Sequence, residues 1–279
     1  MTVLKWPGGK AAMFAHIAEA FGGPCTGIYF EPFLGSGATF LGLARTGAIR
    51  AARLSDSNAR LIDLWRVLAS DPGLARLRVE VEALPWGENW RPHYDRIRDA
   101  FNGDRVMGAE WTAAHLLWLN RACFNGLYRE SSEGNFNTPP GDYASITPPW
   151  DDLDEASRLL VATCPRIDRA HFRRVLSGEG APGAGDFVFA DPPYHDPGAF
   201  VTYGAGGWRR IEQDELVTAL RQCVRRGARV VVTNPGHPKI VRQWVAAGFR
   251  VVHEHDVPRP IGARAERRTA APEVILRAG

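Results

Sequence analysis

The chain has little cysteine, no long apolar run and almost no surplus of charge, and each shortage narrows what it can be. Its four cysteines, Cys25, Cys123, Cys164 and Cys223, are scattered and form no CxxC pair or metal-ligand cluster. A reduced intracellular protein without a resident metal is therefore expected. Lys5 and Lys10 interrupt the short apolar pieces near the amino terminus, which shows no signal-peptide pattern, and no later stretch approaches a membrane span. A formal net charge of +3 and a pI of about 8.8 give only mild attraction to a polyanion, so charge distribution would matter more than the total. Internal repeats and long low-complexity segments are missing. What is present is 279 residues and 30.7 kDa with 45% hydrophobic residues, enough for a full core and a subsidiary domain.

Two local patterns carry chemistry. Asp191-Pro192-Pro193-Tyr194 follows the apolar run Phe187-Val188-Phe189-Ala190, which reads as a short buried strand. The tetrapeptide would lie at that strand's carboxyl end, where open α/β sheets place ligands. Its prolines stiffen the loop and remove two amide donors, leaving carbonyl and carboxylate acceptors and an aromatic ring suited to a planar amine. The same residues also make a good strand stop. The second pattern, Tyr29 to Gly37 followed by Ala38 to Ala44, is strand, glycine turn and helix in order. Gly35 and Gly37 allow a tight turn and close approach to a ligand. Ser55-Asp56 ends the next strand-like segment at the distance where an acidic side chain accepts from both ribose hydroxyls of a nucleoside. The full dinucleotide glycine pattern is missing. Nor is there a phosphate loop, since Lys10 is followed by Ala11 and no lysine follows Gly37. An adenosine-containing ligand without phosphates fits better than NAD or ATP.

Organisation favours one α/β core interrupted by helices. Strands are expected at Ile28–Phe33, Ala51–Leu54, Phe187–Ala190, Arg229–Thr233 and Arg250–His253, with helices through Met13–Phe21, after Gly37, and at Gln213–Arg226 and His237–Ala247. Between Asn58 and His171 the alternation fades. Leu61-Ile62, Leu64-Trp65 and Val67-Leu68 suggest an amphipathic helix and Trp111 to Leu119 another, with interruptions at Asn102-Gly103-Asp104 and Pro148-Pro149.

Together these residues resemble the amino-methyltransferases, in particular the DNA adenine N6-methyltransferases of the Dam-like, alpha-class order. Leu4-Lys5-Trp6-Pro7-Gly8-Gly9-Lys10 is similar to that family's amino-terminal motif, and Phe30 to Gly37 to its S-adenosylmethionine loop. Asn120 to Arg129 with Gly134 to Pro139 resembles its central signature, Asp191 to Tyr194 its catalytic tetrapeptide, and Arg267-Arg268 with Glu273-Val274-Ile275-Leu276 its closing segment. The resemblance implies a Rossmann-like S-adenosylmethionine-dependent α/β core over 1–57 and 172–279, with a helical target-recognition segment over 58–171. It also implies S-adenosylmethionine as cofactor, double-stranded DNA as partner, no obligatory protein partner, and a cytoplasmic, nucleoid-associated setting.

The resemblance assigns roles as well. Asp191 and a carbonyl of Pro192-Pro193 would accept the two adenine N6 hydrogens while Tyr194 stacks on an extruded base. Trp6, Lys10, Glu31, Gly35, Gly37, Asp56 and Asp191 would form the cofactor site. Trp6 also suits a buried anchor, and Lys10 would meet the methionine carboxylate or a neighbouring acidic group. Asn120, Arg121, Asn125, Tyr128, Arg129, Asn135 and Asn137 would organise DNA, although Phe124, Leu127 and Tyr128 could instead pack the helices and Asn125-Gly126 could form a turn. His195 to Phe200 and the Ser57-Asn58 after Asp56 depart from the closest housekeeping methylases. Target sequence therefore stays open, with a GATC-like site as the leading expectation and restriction-associated or phage settings compatible. The alternatives are an amino-methyltransferase acting on RNA or a protein amide, a catalytically dead nucleic-acid-binding module, and an anion-binding structural protein.

Overall fold

The computed structural model describes residues 3–6, 10–103, 107–193, 208–257 and 271–279. Strands β1 (Tyr29–Glu31), β2 (Ala52–Asp56), β3 (Arg166–Arg169), β4 (Phe187–Ala190), β5 (Arg229–Pro235), β6 (Arg250–Val257) and β7 (Ala271–Ala278) form one sheet in the order β3-β2-β1-β4-β5-β7-β6. Strands β1 to β5 pair in parallel, and β7 runs antiparallel to both β5 and β6. The expected strands and the Rossmann-like order are thus present. Strand order reverses at β1, whose neighbours are β2 and β4, so the loops leaving the carboxyl ends of β1 and β4 part and open a crevice.

Apolar side chains sort onto two faces because successive residues of a strand point opposite ways. Phe187 and Phe189 of β4, Val231 of β5 and Ile275 of β7 join one buried cluster. Val188, Ala190, Val230, Val232, Val274 and Leu276 join the other. Burial on both faces explains why β4 and β5 read as continuous apolar runs rather than alternating ones. Helices α1 (Phe14–Phe21) and α2 (Ala38–Arg45) cover the first face, together with α3 (Ala59–Leu68), α4 (Asp71–Glu82), α5 (Tyr94–Gly103), α6 (Ala109–Ala122) and α7 (Trp150–Thr163). Helices α8 (Phe172–Leu176), α9 (Arg210–Arg225) and α10 (Pro238–Ala246) cover the second.

The segment 58–171 is helical as expected, but two features go beyond that. Trp65, Trp118 and Leu160 share a single buried cluster with Tyr29 and Phe187, so these helices and the sheet are packed as one core. The segment also contributes β3, which pairs with β2 from Arg53↔Arg166 to Asp56↔Arg169. A division at residue 171 therefore separates this strand from the sheet to which it belongs. Asn102-Gly103 close α5, and Pro148-Pro149 immediately precede α7, where Pro149 is the N-cap.

Candidate active site

The carboxyl ends of β1, β2, β4 and β5 carry Glu31, Asp56, Asp191 and Thr233 along one edge of the sheet. At the end of β2, Asp56 accepts from the backbone N–H of Gly35 at 3.1 Å and from that of Asn58 at 3.0 Å. Asn58 in turn caps α3, its side chain accepting from Leu61 N–H. One carboxylate thus ties the glycine turn to the start of a helix. Burial raises the Asp56 pKa, and the backbone amides of Asn58, Gly35 and Ser57 work against that rise.

Glycine is required in the turn for two separate reasons. Gly35 and Gly37 both have positive φ, at 49° and 63°. A side chain at Gly37 would in addition sit 2.8 Å from the buried Trp65 ring, whose indole N–H donates to the Gly35 carbonyl at 3.1 Å. At Gly35 the nearest atom is Nε1 of half-buried Trp6. Trp6 itself stacks on Tyr128 with centroids 5.5 Å apart. The amino-terminal motif is therefore wedged between the glycine turn and the central signature.

Charges meet at the ends of β1 and β4. Buried Glu31 accepts from the Tyr29 hydroxyl at 2.7 Å, and burial pushes its carboxyl up to about 8, so it carries a proton at neutral pH. Asp191 accepts from Thr233 Oγ1 at 2.7 Å on one oxygen and meets Lys10 Nζ at 3.1 Å on the other. Lys10 lies between two carboxylates, with Glu273 Oε1 at 2.9 Å. Its burial alone would lower its pKa; Asp191 and Glu273 overcome that effect and hold it raised. Of the two partners considered for Lys10, the one met in the fold is the acidic neighbour. Pro192 is buried and Pro193 half-buried beside Asp191, whereas Tyr194 and Arg267-Arg268 lie outside the described residues.

The central signature divides into a buried half and an exposed half. Asn120 is buried; its Nδ2 donates to the carbonyls of Lys5 at 2.7 Å and Gly126 at 3.1 Å, and its Oδ1 accepts from Lys5 N–H at 2.8 Å. The side chain thus clamps two backbone segments. Arg121 is half-buried, donating to the Val3 carbonyl at 3.2 Å, and burial lowers its pKa against the pull of Asp152. Tyr128 is buried too, with its hydroxyl on Glu130 at 2.6 Å and its ring on Trp6, so it packs rather than projects. Asn125 is exposed in a left-handed conformation next to exposed Phe124. Exposed Arg129 grips exposed Asn137 through Nε to Oδ1 at 2.7 Å and Nη2 to the carbonyl at 2.9 Å. Asn135 is half-buried, and its backbone N–H donates to Ser131 Oγ at 3.3 Å. A short antiparallel bridge, Glu130↔Phe136, holds the loop that carries these residues.

Comparison with known proteins decides the family. Residues 6–257 match the model of the D12 class N6 adenine-specific DNA methyltransferases. The chain belongs to that family. A "DNA N-6-adenine-methyltransferase" of Escherichia phage P1 is 31% identical over 98% of this chain, which spans about a third (35%) of that relative's length. The "Type II methyltransferase M1.LlaDCHI" of Lactococcus lactis subsp. cremoris is 28% identical over 98% of this chain and 93% of its own length. A "DNA adenine methylase" of Serratia marcescens is 28% identical over 94% of both. In this member of the D12 class, the sequence pointed to Asp56, Asp191 and an acidic neighbour for Lys10, but not to Thr233 or Glu273 as the groups around them. Thr233 has a visible signal, a hydroxyl placed directly after the apolar Val230-Val231-Val232. Trp65 and Glu273 have none, because their contacts join segments remote in the chain. No group of three or more histidine, cysteine, aspartate or glutamate side chains suited to a metal occurs among the described residues.

Proposed function

We propose that the crevice binds S-adenosylmethionine and that the chain transfers its methyl group to N6 of an adenine extruded from duplex DNA. The observation that supports this best is the pairing of two differently equipped strand ends, those of β2 and β4, on either side of β1. The β2 end has a half-buried carboxylate, Asp56, beside a positive-φ glycine turn, which suits a ribose and a close-lying nucleoside. The other has Asp191 at a proline-stiffened strand end, oriented on both carboxylate oxygens by Thr233 and Lys10. The residues fit the cofactor: Gly35 and Gly37 make a turn without side chains next to Asp56, and the acidic groups outnumber the one buried lysine.

Bound S-adenosylmethionine would supply a sulfonium methyl: the N6 lone pair forms the new N–C bond, the C–S pair remains on sulfur, and cationic N6 then loses a proton. Asp56 accepts the ribose hydroxyls and keeps its two amide donors. Asp191 and a carbonyl of Pro192-Pro193 accept the N6 hydrogens, turn the lone pair toward the methyl group and stabilise the positive charge as it forms. Tyr194 stacks on the base, and the cost of extruding it is recovered by the pocket and by backbone contacts.

Segment 58–171 is assigned to target recognition. Within it Arg129, Asn125, Asn135 and Asn137 face DNA, whereas Asn120, Arg121 and Tyr128 hold that surface against the amino-terminal motif. A GATC-like target, a restriction or phage setting, and a cytoplasmic location near the nucleoid remain part of this proposal. No helix among the described residues is long and apolar enough to cross a membrane. Methyl transfer from labelled cofactor to duplex DNA, RNA and protein in parallel tests the substrate class. Label in N6-methyladenine of DNA is expected, and label only in RNA or protein overturns the proposal.

A further inference from the structure

Lys10, Asp191 and Glu273 come from three remote parts of the chain and converge within hydrogen-bonding distance, yet adenine methylation as described above uses only Asp191 directly. Lys10 is 4% exposed and Glu273 buried, so solvent screens this cluster poorly. The register of β7 on β5 explains the meeting: Thr233 pairs with Ile275 and Pro235 with Glu273. Thr233 and Glu273 are therefore delivered together to the carboxyl end of β5, beside Asp191.

Burying a second carboxylate is costly, and burial raises the Glu273 pKa against the opposing pull of Lys10. Holding Lys10 against Asp191 does not by itself require Glu273. A charge count over the described residues gives it a task. Asp191 with Lys10 alone is a neutral pair, whereas N6 gains about one unit of positive charge as it takes up the methyl group. Glu31 adds no charge to the balance while it is protonated at neutral pH.

Resting on that adenine-methylating reading, we propose that Glu273 is a positioning residue that, by sharing Lys10, leaves Asp191 with the net negative charge the forming N6 cation requires. It touches neither base nor cofactor and acts through Lys10. In the ground state the excess charge is an expense; in the transition state it faces the cation. The step itself is unchanged: the same bond forms, the same bond breaks, and the N6 proton leaves afterwards.

The test compares wild type with Glu273→Gln and Glu273→Asp. Wild type must first produce N6-methyladenine; if it does not, the underlying assignment fails independently of Glu273. Single-turnover transfer at saturating cofactor and DNA should fall about 10-fold in Glu273→Gln, with DNA affinity unchanged. Glu273→Asp keeps the charge and should recover most of that loss. A readout without turnover uses calorimetry. A cofactor analogue with a protonated amine in place of the methyl group should lose affinity relative to S-adenosylhomocysteine in Glu273→Gln and keep it in Glu273→Asp. Circular dichroism establishes folding. If Glu273→Gln does not fold, Glu273→Asp decides: a rate within about 3-fold of wild type supports charge, and a larger loss overturns it. A wild-type rate in Glu273→Gln, or a Glu273→Asp variant as slow as Glu273→Gln, also overturns the proposal.

Discussion

Replacing Asp56 with alanine should weaken S-adenosylmethionine binding far more than it disturbs DNA binding. In the free protein the carboxylate serves the Gly35 and Asn58 amides at 3.1 and 3.0 Å, and the cofactor would add two ribose hydroxyls to the same group. Loss of one charge-assisted hydrogen bond costs about 1.5–3 kcal/mol, equivalent to about 10- to 150-fold in affinity. Water entering the space would bring the result toward the lower figure. The two amides lose their acceptor in either state, so that part of the damage belongs to stability and is measured separately by thermal melting. Calorimetric titration of folded wild type and variant, with Asp56→Asn as the volume-matched comparison, reads the cofactor part. Equal affinities in the folded proteins would remove Asp56 from the ribose site.

Gly37→Ala should destabilise the fold by about 1–3 kcal/mol, because it adds a side chain at positive φ within 2.8 Å of Trp65; Gly47→Ala, also at positive φ but with open space around it, should cost less. Denaturant titration checks both, and equal losses would show that Trp65 is not the obstacle. Glu31 gives a pH dependence: between its ordinary value of 4.5 and about 8 the native state holds a proton that the unfolded chain has lost, so its contribution lowers stability as pH rises through that window. Glu31→Gln should flatten this slope in melts across the same range, and an unaltered slope would place its source elsewhere. Arg129→Ala should either relax preference at one base pair by about 1–3 kcal/mol or weaken binding to all sequences with a smaller salt dependence. Methylation of a randomised duplex library with salt-titrated binding separates these outcomes, whereas Arg121→Ala should chiefly lower the melting temperature; no effect of Arg129→Ala on either readout would move recognition off this loop.

The sequence was most legible where burial is two-sided or a turn needs glycine. The continuous apolar run Phe187 to Ala190 matches β4 residue for residue, and the Gly35–Gly37 turn with Asp56 beyond it appears where the spacing placed it. Strand β3 was hidden because only Ile167 of its four residues is buried, leaving no apolar run or alternation to detect. The roles of Asn120 and Tyr128 were hidden for a different reason. A polar residue in a signature looks equally suited to DNA or to a backbone clamp, and only the approach of Lys5 and Trp6 separates the two. The Lys10–Asp191–Glu273 grouping depends on the antiparallel register of β7 against β5, which no local pattern encodes.

The most direct test of the central claim is single-turnover methyl transfer by wild type and Asp191→Ala, with cofactor and duplex DNA both saturating and N6-methyladenine quantified by mass spectrometry. Wild type should form N6-methyladenine. The variant should stay folded, bind DNA and transfer at least about 100-fold more slowly, the scale expected when a group stabilising transition-state charge is removed. A near-normal rate in Asp191→Ala, or no N6-methyladenine from wild type, would contradict the account.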